Sequence, residues 1–224
     1  MNTPHARPGK SRRELQEIYR EMAGWMDRMS WMDRLLLGRY RRRLLTRASG
    51  RTLDVACGVG TNLPYLPDGT EYVGADLSPH MLRRALRRHG HGVRSGAFQA
   101  MDAERLAYPD ASFDTVISSL STCTFPDPGA ALREMARVLR PQGRILLLEH
   151  GRSRVEPLAR IQDRLAPRHF RKHGCRWNQE PVQVVEEAGL RIVRHQRGFL
   201  GVFTLLEVGG SNAASVQSGG SRTA

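Results

Sequence analysis

LDVACGVGTN (Leu53–Asn62) runs from an apolar, β-like stretch into a turn that carries Gly58 and Gly60. Glycine at both positions permits a tight turn and lets a ligand come close to the backbone. By itself a Gly-x-Gly is weak, because many strands end in such a turn. The third glycine of the dinucleotide fingerprint would fall at position 63, which is Leu63, and that argues against a nicotinamide dinucleotide. Asp76 adds weight: it closes a second β-like run, YVGADLSP, eighteen positions after Gly58. A carboxylate there faces the same crevice and can accept both hydroxyls of a ribose. The alternative is helix capping by Asp76 or Ser78; glycines and acid arriving together favour the ribose.

Outward from this pair the chain alternates between strand and helix. Seven β-like runs are predicted, at 52–56, 72–75, 93–99, 113–118, 144–149, 190–195 and 202–208. Helical patterns cover 79–89, 130–139, 155–170 and 181–188. Such alternation predicts an α/β fold, a mostly parallel sheet with helices on both faces. The link between the last two strands is too short for a helical crossover, so the last strand is expected to be antiparallel. Two further helices, 12–29 and 35–48, precede the sheet and predict an N-terminal lid over 12–50 before a core over 51–208. Residues 1–11 and 209–224 read as disordered, the latter rich in Gly, Ser and Ala.

Composition narrows the class. A chain of 224 residues with 40% hydrophobic and 25% charged residues reads as one globular domain. No run reaches the ~18 apolar residues of a membrane-spanning helix, and the N-terminus has no apolar core for a secretory signal. The formal charge is +13, carried by 33 Arg and 2 Lys, spread along the whole chain. That excess fits either a basic binding surface or an arginine-rich coding bias. The three cysteines, Cys57, Cys123 and Cys175, have scattered spacings that argue against a disulfide framework or a zinc site. They fit a reducing compartment, and a cytoplasmic location is expected.

Further motifs complete the pattern. Asp102 and Ala103, in MDAERLAYPD, follow the third predicted strand and can meet an adenine amino group and ring nitrogen. FDTVISS then starts the fourth strand, and LREMARVLRPQGRILLLEH gives a helix, a Pro-Gly turn and the fifth strand. From about Tyr19 to Val208 the chain resembles class I methyltransferases with a type 11 domain, the group that includes quinone-biosynthesis C-methyltransferases. The resemblance implies a Rossmann-like seven-stranded fold and S-adenosylmethionine as cofactor, with S-adenosylhomocysteine as product. It implies that Gly58 and Gly60 pass the methionine part, Asp76 the ribose and Asp102 the adenine. Tyr19, Asp54, Ala56, Asn62, Leu77, Ala103 and Ser118 complete the expected cofactor contacts. Tyr19 with Asp27 matches the family's lid signature, although Trp25-Met26 stands where a Tyr is usual and Val59 replaces the usual Thr.

Methyl transfer from a sulfonium needs alignment and exclusion of water more than a dedicated base. Where a base is needed, histidine has the suitable range. His150, at a strand end, is one candidate, with Asp163 and His169 as further catalytic candidates. Trp25, Cys123, His150 and Cys175 are the expected substrate contacts. The segment from Gln162 to Asn178 with Glu149-His150-Gly151 resembles a subgroup with membrane-associated thiol methyltransferases and a fungal mitochondrial member. His173 and Cys175 alone supply two metal ligands where three or four are usual, so no metal is expected. The apolar stretch from Trp25 to Leu37, followed by arginines, fits packing on the sheet, or a lid touching anionic membrane. A small lipophilic acceptor, a thiol, quinone-like ring or lipid headgroup, is the expected substrate. An RNA methyltransferase and a non-catalytic cofactor-binding scaffold are the alternatives. No Asn/Asp-Pro-Pro-Tyr motif or aromatic-interleaved basic patch supports nucleic acid as a partner.

Overall fold

The computed structural model describes residues 9–94 and 96–210; the expected disorder of 1–8 and 211–224 lies outside the described residues. Seven strands form a single sheet: β1 (Arg51–Val55), β2 (Glu71–Asp76), β3 (Phe98–Ala100), β4 (Phe113–Ser119), β5 (Leu139–His150), β6 (Ile192–Gly198) and β7 (Phe203–Gly209). Their order is β3-β2-β1-β4-β5-β7-β6. Strands β1 to β5 pair in parallel, and β7 runs antiparallel to both β5 and β6. The order reverses at β1 and β4, so a crevice opens beyond the carboxyl ends of these two strands.

Six helices accompany the sheet: α1 (Arg12–Arg28), α2 (Ser30–Leu45), α3 (Pro79–His89), α4 (Pro128–Val138), α5 (Glu156–His173) and α6 (Pro181–Glu187). Their starts follow local chemistry. Ser11 and Glu14 form a reciprocal capping box on α1. Asp127 accepts from the Ala130 amide at 2.9 Å and Pro128 supplies the fixed φ of the first turn of α4. Helix α5 stops at Gly174, whose φ of 69° is the left-handed cap that favours glycine.

Alternate strand residues feed two cores. On one face Leu53, Val55, Val116, Ile145 and Leu147 pack with Leu132 and Met135 of α4 and Val184 and Val185 of α6. On the other, Ile117, Leu146, Leu148 and Leu205 pack with Leu37, Leu44 and Leu45 of α2. Each such fully buried aliphatic side chain contributes about 1.5–3 kcal/mol.

Three boundaries differ from expectation for visible reasons. Strand β3 is short, because Gly96 takes a φ of 78° and the Ala97 amide turns back to the Arg94 carbonyl before pairing starts. The expected Pro-Gly turn before β5 is absorbed into the strand: Leu139 already faces Phe113, and a register shift precedes the Thr115–Arg144 pair. The division at residue 50 cuts through packed structure, since α2 belongs to the second core. Helix α1, and α2 as far as Arg41, line the crevice.

The apolar stretch of the lid divides in the same way. Leu37 is buried, but Trp25 is 52%, Trp31 62%, Leu35 75% and Leu36 59% exposed.

Candidate active site

A cavity of about 360 Å³ lies at the carboxyl ends of β1, β2 and β4 and beneath α1 and α2, within the usual range for small-molecule sites. Its floor contains Ala56, Gly58, Asp76, Leu77, Asp102 and Ala103, and its roof includes Tyr19, Trp25, Met26, Met29 and Leu36. Two non-glycine residues that line it, Ala56 and Leu120, hold φ values of 56° and 57°. Left-handed backbone at the ends of β1 and β4 costs about 1–3 kcal/mol each and concentrates at functional sites.

Asp76 is the organising anion. One carboxylate oxygen accepts from the Gly58 amide and the other from the Ser78 amide, both at 2.8 Å. Loss of water contact pushes its carboxyl up to about 6, against the pull of these two amides. The space above Gly58 is open: a Cβ there would meet nothing within 4 Å. Gly60 does other work, since a Cβ on it would sit 2.7 Å from the His89 ring of α3. Asp102 accepts from the Glu104 amide at 2.9 Å and is ion-paired with Arg12.

Arg12 was invisible as a site residue in the sequence. It reaches from α1 to Asp102 and, at 3.0 Å, to Glu104. Gln16 of the same helix donates to the Leu77 carbonyl at 3.1 Å. The lid is therefore fastened to both loops that bear the acids. Tyr19, on the next turn, lines the cavity, and burial pushes its phenol well up.

Four residues expected to touch a cofactor do not line the cavity: Gly60, which packs against His89, and Asp54, Asn62 and Ser118. Asp54 is fully buried and accepts from Asn62 at 2.9 Å and Tyr72 at 3.1 Å. Burial pushes its carboxyl up to about 7, opposed by these donors and by Arg41. Asn62 in turn accepts from Ser119 at 3.0 Å and from Arg41. Ser118 donates to the Val55 carbonyl at 2.8 Å and so ties β4 to β1.

The acceptor-side candidates separate into two groups. Asp163 lies away from the cavity, paired with Arg152 at 3.0 Å and accepting from Asn178 at 2.9 Å. His169 stacks on Trp177 with ring centroids 4.5 Å apart. Cys123, His150 and Cys175 come together although the sequence scatters them. Hydrogen bonding with Cys123 first, and with His150, holds the Cys175 thiol well below its usual range against the cost of burial, while Cys123 is driven up. Buried Glu149 accepts from the Ser121 and Thr122 amides behind this cluster.

With this geometry in view, the comparisons with known proteins are specific. A family profile described as a methyltransferase domain matches residues 53–147. The chain is 29% identical over 210 residues to the mitochondrial methyltransferase OMS1 of Saccharomyces cerevisiae, covering 84% of this chain and 45% of that protein. It is 38% identical over 143 residues to a demethylmenaquinone methyltransferase of Deinococcus radiodurans, covering 60% and 59%. The chain thus spans about half the length of these curated relatives. Among solved structures, a SAM-dependent methyltransferase of Thermotoga maritima shares the fold, with a TM-score of 0.68 at 19% identity over 87% of this chain and 99% of that one. The open backbone at Gly58, the buttressed acid at Asp76 and the matched profile point the same way: residues 53–147 match a methyltransferase domain, and the chain is similar in sequence and fold to S-adenosylmethionine-dependent methyltransferases.

Proposed function

We propose that this protein transfers a methyl group from S-adenosylmethionine to a small lipophilic acceptor. One observation carries the reading: the crevice of Gly58, Asp76 and Asp102 opens into the same cavity that Met26, Met29, Met32 and Leu36 roof. The residues fit the cofactor. Asp76 has the charge to accept ribose hydroxyls, Gly58 leaves room beside the backbone, and Asp102 with Ala103 borders the adenine end. Bound S-adenosylmethionine supplies a methyl carbon already activated by its sulfonium. What remains for the protein is to hold the acceptor in line and keep water out, worth about 7–11 kcal/mol in well-oriented systems. The apolar roof, fastened by Arg12 and Gln16, serves both tasks.

Demethylmenaquinone methyltransferase, in the name of one relative, also points to a greasy acceptor. Trp25, Trp31 and Leu36 are exposed, and exposed Arg39, Arg42 and Arg43 follow them along α2, chemistry suited to an anionic membrane surface from which such an acceptor is drawn. Among the described residues no helix is long and apolar enough to cross a membrane. The test is transfer of labelled methyl from S-adenosylmethionine into a cell extract divided into organic-soluble, protein and RNA fractions. Label in the organic fraction is expected; label confined to RNA or protein refutes the acceptor class.

The raised carboxyl of Asp76 gives a second expectation. Only the ionised form offers both oxygens to a ribose, so S-adenosylhomocysteine affinity should be flat above neutrality. Below about 6 it should fall, approaching about tenfold per pH unit. Asp76→Asn should abolish this dependence in calorimetric titrations; an unchanged pH profile in that variant would assign it to another group.

A further inference from the structure

Cys123 follows β4, His150 ends β5 and Cys175 follows α5, so three separate elements converge on one point. The two sulfurs are 3.2 Å apart, and His150 Nε2 lies 3.3 Å from Cys123 Sγ and 3.4 Å from Cys175 Sγ. Both thiols are buried and neither is in a disulfide. The histidine is fixed from behind. Its Nδ1 is 3.3 Å from the Trp177 carbonyl, which can only accept, so Nδ1 carries the hydrogen and Nε2 faces the sulfurs. A backbone carbonyl holding the second ring nitrogen is the usual support of a metal-binding histidine.

The dimensions suit a metal. For edges of 3.2–3.4 Å, a point about 2.3 Å from all three atoms lies about 1.3 Å out of their plane. An opening of a few tenths of an ångström reaches tetrahedral zinc spacing, about 3.5–3.8 Å between ligand atoms. Two thiolates and a dication sum to zero charge, which a buried site tolerates far better than bare thiolates. Sulfur ligands also select against magnesium and calcium.

We propose that Cys123, His150 and Cys175 bind one soft divalent cation of the zinc class, with a fourth coordination position left to an exchangeable ligand. Among the described residues no fourth His, Cys, Asp or Glu atom joins the set at this spacing, and three protein ligands with one open position is the pattern of catalytic rather than structural zinc. Cys123 sits between Ser121 and Thr124 in sequence, and both line the cavity, so the centre lies beside the acceptor space. Binding displaces the protons of both thiols to solvent and needs no oxidant. This goes beyond the methyl-transfer reading and does not depend on which acceptor is used.

The experiment uses the full chain, stripped with chelator under thiol reductant and titrated with Co²⁺, then with Zn²⁺. One equivalent of Co²⁺ should give a thiolate-to-cobalt charge-transfer band and intense tetrahedral visible bands, bleached by Zn²⁺. Cys123→Ser and Cys175→Ser should each lose the charge-transfer intensity, whereas Cys57→Ser, which alters a cysteine outside the cluster, should keep it. S-adenosylhomocysteine binding on the same samples separates the two readings: if it is intact in a protein without cobalt bands, the metal site alone is refuted. A Cys123–Cys175 disulfide that persists under reductant would refute it equally.

Discussion

Replacing Asp76 by alanine should weaken S-adenosylhomocysteine binding by about a hundredfold or more, since a hydrogen bond to a charged group contributes about 1.5–3 kcal/mol and the ribose offers two. The carboxylate does more than wait for a ligand. It holds the Gly58 and Ser78 amides at 2.8 Å and so fixes the turn after β1 against the start of α3. The alanine variant loses this brace too, but the Gly58 amide lies at the cavity, where water can replace the carboxylate. Its thermal midpoint should therefore move little while affinity collapses, and Asp76→Asn should fall between alanine and wild type. Calorimetry with unfolding curves on the same samples decides. Near-wild-type affinity in the alanine variant would remove Asp76 from the cofactor site; a large loss of stability would mean that it is a structural brace first.

Asp76 was legible because its evidence is local: a strand, a glycine turn and an acid at fixed separation. The same holds for the parallel order of the strands and for the antiparallel β7, which followed from a connection too short to cross over. What the sequence hid depends on distant elements meeting. Cys123 and Cys175 stand fifty-two positions apart, and no spacing rule anticipates a loop after β4 touching a loop after α5. Asp54 and Asn62 sit inside the glycine motif, yet their side chains turn away from the cavity to bond each other and Tyr72. Motif membership gave them the right neighbourhood and the wrong face. Arg12 resembled any other arginine of a basic amphipathic helix until α1 was laid across Asp102 and Glu104.

Arg41 is the sharpest case, and its replacement should have the largest effect on stability. In the run Arg39-Tyr40-Arg41-Arg42-Arg43 it looks like part of a solvated cluster, but it is only 2% exposed while Arg39, Arg42 and Arg43 face water. The register of α2 on the sheet makes the difference: Leu37, Tyr40, Leu44 and Leu45 turn inward, and Arg41 comes with them. Its guanidinium takes both oxygens of Asp33, at 3.0 and 3.2 Å, and donates to Asn62. Asn62 passes the connection to Asp54, and Tyr72 of β2 completes it. One buried chain of polar groups thus joins α2 to β1 and β2 beneath the cavity. Arg41→Met keeps much of the apolar stem but strips Asn62 and Asp54 of their cation. Breaking a buried pair from one side costs about 3–5 kcal/mol, which for a chain of this size lowers the unfolding midpoint by roughly 10 °C. Arg42→Met, on the exposed face, should stay within about 0.5 kcal/mol of wild type. Asp33→Asn should cost less than Arg41→Met, because Asp33 keeps a quarter of its surface in water and the cation retains Asn62. Equal midpoints for the Arg41 and Arg42 variants would mean that the polar chain contributes nothing to holding α2 on the sheet. The expected ranking would instead make Arg41 the fastening that sets the cavity roof at its working distance from Gly58 and Asp76.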